Sequence, residues 1–180
     1  MNFKNSVMKI LFVLFLLLPF MAAQGNQNGR FFVHLKTSLK KDDSQICVAY
    51  NMIWTALKQG MAVDVMVDAD GINTFKTGWF SNKDSIQDYK IPENMRINLA
   101  MQLDVPLNQV PKTYGDYLIK LHQEGAHFYV NKAFLIVAGI AQEPDKDMGK
   151  IADYVKKIFK PVTLKEMLDL RRQADFDYTY

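Results

Sequence analysis

The chain has a single cysteine, Cys47, so no intramolecular disulfide can form and packing must supply the stability. Histidine is scarce too. His34, His122 and His127 lack the spacing of a structural metal site, and neither a metal nor another cofactor is expected. No nucleophile elbow accompanies the serines, which removes acyl transfer by a Ser/His/Asp set. Repeats and low-complexity tracts are absent. The apolar stretch Ile10 to Phe20 is shorter than the roughly 20 residues a membrane-spanning helix needs, so no stable membrane anchor is expected.

What the N-terminus does have is the order of a secretory leader: Lys4 and Lys9, then that apolar stretch, then Met21-Ala22-Ala23-Gln24-Gly25. Residues 1–25 are therefore expected to be a signal peptide, cut after Ala23 or after Gly25. No cysteine stands directly after the apolar core to take a lipid. The formal charge of +3 includes Lys4 and Lys9 and no acid from this segment, so the exported part carries about +1. That near-neutrality gives a nucleic-acid partner no support. The expected address is periplasmic or extracellular. About 155 residues remain, enough for one domain over 26–180 and too few for two.

Along this domain the hydrophobic period changes repeatedly. Phe31 to Leu35 is short, apolar and aromatic, and the polar cluster Lys36 to Ser44 follows: strand, then loop. From Asp43 to Gln59, residues Ile46, Cys47, Ala49, Tyr50, Ile53, Trp54 and Leu57 recur at three and four, with Asp42, Asp43 or Ser44 as N-cap and Gly60 as stop. Met61 to Val67 reads as a second strand, and Asp68-Ala69-Asp70-Gly71 as a turn able to start a helix. Residues 78–111, punctuated by Pro92, Pro106 and Pro111, read as an insertion with limited regular structure, open as a lid, an oligomer contact or a packed cover. Tyr114 to Glu124 spaces Tyr117, Leu118 and Leu121 as a helix ending at Gly125, and Ala126 to Val130 is a third strand. A short buried helix over Lys132 to Ile140, an amphipathic helix over Gly149 to Phe159, a helix over Thr163 to Arg172 capped by Thr163, and a closing edge strand over Phe176 to Tyr180 complete the chain. The expected fold is an α/β three-layer sandwich, its mostly parallel sheet covered by helices on both faces.

The order of these elements resembles one family. Phe31 to Val33, the helix ending Leu57-Lys58-Gln59-Gly60, the strand Ala62 to Val67 with Asp70-Gly71, and then Leu118 to Ala126 leading into Phe128-Tyr129-Val130 and Gly139-Ile140 resemble the DsrE/DsrF-like sulfur-relay fold. The resemblance implies a homo-oligomer and a link to sulfur metabolism. In sulfur-carrying members a cysteine follows the third strand, and some members have a second one three residues later; here those positions hold Asn131 and Phe134. An amide cannot become a thiolate or carry a transferable sulfur. The reading that follows is a non-catalytic binding or assembly module.

Ligands of an open parallel sheet bind outside the carboxyl ends of the strands. That edge gathers Lys36, Thr37 and Ser38 after the first strand, Asp68 and Asp70 after the second, and Asn131 and Lys132 after the third, a place for a small anion or a small sulfur compound. Capping and turn roles compete for the same residues, and Asp42 and Asp43 already bring negative charge to the nearby helix start. Two alternatives remain open. Cys47, in line with Tyr50 and Trp54 and so expected to be buried, would have to be exposed to serve as a sulfur carrier. Asp64, Asp68 and Asp70, or His34 with His127, would have to converge to hold a metal.

Overall fold

The computed structural model describes residues 28–78 and 86–180. The expected leader, 1–25, lies outside them, as do residues 79–85 of the expected insertion. Five strands form one sheet in the order β4-β3-β2-β1-β5: β1 (Arg30–Leu35), β2 (Ala62–Val67), β3 (His127–Asn131), β4 (Phe159–Val162) and β5 (Phe176–Thr179). All four pairings are parallel, and helices flank the sheet, so the architecture is the expected three-layer α/β sandwich.

Helix α1 (Asp43–Lys58) forms where the spacing placed it. Asp42 caps it by accepting from the Gln45 N–H, and Gly60 ends it at φ +75°. Its stripe Ile46, Tyr50, Ile53 and Trp54 lies buried with Tyr114, Tyr117, Leu118 and Leu121 from α3 (Tyr114–Gln123) against Val33, Val65, Val67 and Val130 of the sheet. This is the main core. Tyr50 meets Tyr117 edge to face at 5.3 Å between ring centroids, and Trp54 meets Tyr117 at 5.6 Å, a geometry that favours aromatic pairs.

The opposite face is thinner. Alternate residues of the same strands place Phe32, Met66 and Val162 there, and α6 (Leu164–Arg172) covers them with the partly buried Met167 and Leu170. A full capping box starts this helix: Thr163 accepts from the Glu166 N–H, and the Glu166 side chain accepts from the Thr163 N–H.

Three expectations are corrected. The insertion is not poor in structure: α2 (Glu93–Leu103) occupies its middle, with Pro92 as N-cap and Asp104 in the left-handed region at its end. The prolines lie outside this helix, where they do no harm. Its apolar residues Ile97, Leu99, Met101 and Leu103 fall at every second position, which hides the helical period; Ile97 and Met101 end up exposed. Gly149 to Phe159 does not form one amphipathic helix. Only α5 (Asp153–Lys156) is helical there, and the chain then enters β4, whose Pro161 is tolerated because β4 is an edge strand. Helix α4 (Lys132–Val137) is short as expected, yet only Leu135 is buried; Ile136 and Val137 face outward.

Candidate functional site

Because β1, β2 and β3 are adjacent and in register, the residues at their carboxyl ends meet on the α6 face. His34 of β1 presents Nε2 to Asp68 Oδ2 at 3.6 Å. That nitrogen is buried and has no hydrogen-bond partner. Asp68 Oδ1 accepts from the Ala69 N–H at 2.7 Å and from Asn131 Nδ2 at 2.8 Å. The facing His34 imidazole, with Asn131 and Ala69, holds the Asp68 carboxyl below its ordinary range despite partial burial. Asn131 Oδ1 accepts from the Phe134 N–H at 3.2 Å and so caps α4. The amide at the third strand's end is thus engaged on both sides, and Asn131 is 7% exposed.

The other residues expected at this edge divide into separate groups. Asp70 Oδ2 accepts from the Ser38 hydroxyl at 2.6 Å and from the Ser38 N–H at 3.2 Å, and Ser38 is buried. The Lys36 and Thr37 N–H groups both donate to the Tyr180 carbonyl oxygen. Lys132 turns away to an ion pair with Asp145. The structure therefore joins Asp68 with Asn131, and Ser38 with Asp70, but not all seven residues around one point. Beyond α4, a concavity of about 780 Å³ opens along Ile136, Gly139, Ile140, Glu143, Lys146 and Lys150.

The expected metal groupings do not assemble. His34 on β1 lies level with Met66 of β2, whereas His127 on β3 lies level with Asp64 of β2, two positions nearer the amino end, so the histidines stand two strands apart. Among the described residues no three His, Cys, Asp or Glu side chains are arranged to hold a metal ion. Asp64 and Asp68 do share the α6 face, but each has its own partners. Asp64, 2% exposed, takes Tyr129 Oη at 3.3 Å, His127 Nδ1 at 3.4 Å and Arg30 Nε at 3.5 Å. Burial, reinforced by this carboxylate, pushes the Tyr129 phenol up to about 12. The sequence reading missed Arg30 and Tyr129 as its neighbours, because only the strand register brings them beside Asp64.

Cys47 is 5% exposed on the inner side of α1. Burial pushes its thiol up, and its sulfur is 3.8 Å from Asn51 Nδ2, whose Oδ1 accepts from the Tyr117 hydroxyl at 3.1 Å. A nucleophilic cysteine needs access and a depressed pKa; this one has neither.

Fold and site together define a parallel α/β protein whose polar constellation lies at the carboxyl ends of its central strands, with its one thiol inside the core. No family model matches the chain, and no curated protein matches it in sequence.

Proposed function

We propose that the chain is an exported, DsrE-like binding or assembly module, working as a homo-oligomer in periplasmic sulfur metabolism without carrying sulfur covalently. The observation that supports this reading is Asn131. It stands where the resembled family places its persulfide cysteine, and its amide is spent on Asp68 and on the first turn of α4. A residue used in this way builds a strand-end site and does not react in it. The module's ligand is a small sulfur compound or anion held outside the carboxyl ends of β1 to β3.

Polysulfide treatment of the folded protein followed by intact-mass measurement tests the reading. No mass gain is expected, since Cys47 is buried. A stoichiometric gain of sulfur on Cys47 would make the protein a carrier and overturn the proposal.

A further inference from the structure

The strand order reverses once. From β1 the chain steps outward through β2 and β3 to β4, then crosses back to lay β5 on the other side of β1. In open parallel sheets the ligand crevice lies outside the carboxyl ends at such a reversal, where the flanking connections diverge. Here the reversal falls between β1 and β5. The loop leaving β1 begins with Lys36 and Thr37, and Tyr180 stands opposite it.

Both of those N–H groups converge on one oxygen, the Tyr180 carbonyl, at 2.6 Å from Lys36 and 3.2 Å from Thr37. The first bond continues the β1–β5 ladder. The second does not, because successive N–H groups of an extended strand point to opposite sides. The chain curls after Lys36, and two neighbouring donors then aim at the same point, as they do in backbone nests that hold anions.

The donors are set independently of their occupant. Asp68 N–H donates to the Leu35 carbonyl at 3.0 Å, and Gly71 N–H to the Lys36 carbonyl at 3.0 Å. Ser38 is tied to Asp70, and the Leu39 N–H to Thr74 Oγ1 at 3.0 Å. Gly71 packs so closely that a Cβ there would lie 2.5 Å from the Leu35 oxygen. The occupant, by contrast, sits at the rim of the sheet, held by its hydrogen bonds to β1 and the loop after it. Every residue of β5 is exposed, and Tyr180 itself is only partly buried.

We propose that the Lys36 and Thr37 N–H pair is a binding site for a small inorganic oxyanion, and that Tyr180 fills it with its own carbonyl oxygen until it is displaced. The exposed Lys36 side chain adds a favourable charge that offsets the nearby Asp70 carboxylate, which Ser38 hydrogen-bonds without neutralising. This inference rests on reading the strand ends as a ligand site, and it names the ligand's chemistry and the gate.

Sulfate titration at constant ionic strength, followed through the amide resonances of Lys36 and Thr37, tests it. The parent is compared with Tyr180→Pro, which removes the N–H that seats this residue on the His34 carbonyl and changes no charge. The two amides are expected to saturate at a sulfate concentration at least tenfold lower in this variant, whereas Tyr180→Phe should behave as the parent. Adding Thr37→Pro, which deletes one donor, should abolish the gain. Lys36 and Thr37 resonances that move no more than the rest in the folded variant would overturn the site. Sulfur gained on Cys47 would instead overturn the non-carrier reading and leave the oxyanion site standing.

Discussion

On one face of the sheet Val33, Val65, Val67 and Val130 are completely buried beneath α1 and α3; on the other, alternation places His34, Asp64 and Asn131, with Asp68 just past β2, on the side where α6 packs over Phe32, Met66 and Val162. The two faces come from alternate residues, so the contrast is written into every strand. The first face carries stability through apolar burial. The second keeps only Phe32, Met66 and Val162 as its buried apolar centre and spends its two ends on polar clusters. A sheet can place a site on its surface only where it forgoes core there.

Truncation on each side gives the largest effect that would break this comparison. Trp54→Ala, on the deep face, is expected to lower unfolding free energy by about 3–5 kcal/mol. Leu170→Ala, under the half-covered α6, is expected to cost about 1 kcal/mol, since only part of its surface leaves water on folding. Equal losses in denaturant titrations would mean that the faces contribute alike.

A smaller loss tests the polar end itself. Asn131→Ala removes the cap of α4 and a donor to Asp68, and should cost about 1–2 kcal/mol while leaving the transition cooperative. An unchanged stability would show that those two hydrogen bonds do not hold the strand ends.

The smallest effect is a matter of pH. Asp68 is held below its ordinary pKa in the folded state, chiefly by His34, so its ionised form favours folding. That contribution is complete above the unfolded carboxyl pKa of about 4 and disappears as pH falls through the lower folded value. The stability gap between the parent and Asp68→Asn should therefore shrink as the pH falls below about 4. A gap that does not shrink there would show that the ionised Asp68 carboxylate does not favour folding.

Much of the first face was legible in sequence. Ile46, Tyr50, Ile53 and Trp54 keep a helical period, and β1 and β2 are compact apolar runs next to turn residues. By contrast, α2 was hidden by a two-residue apolar period, and β4 by Lys160 and Pro161 in so short a strand. Asp68 and Asn131 were picked out as strand-end residues, yet their joining with His34 depends on three strands being in register. The same holds for Arg30, Asp64, His127 and Tyr129. Spacing along a chain reports which face a residue takes, whereas its partner across the sheet is fixed only when the register closes.

The position of β5 also sets an order of assembly. The Arg30 N–H is bonded to the Asp175 side chain 145 residues later, and β1 gains its second neighbour only from the last segment of the described chain to be synthesised. Until then one side of β1 remains an open edge with unpaired backbone groups. Such distant closure is slow to form.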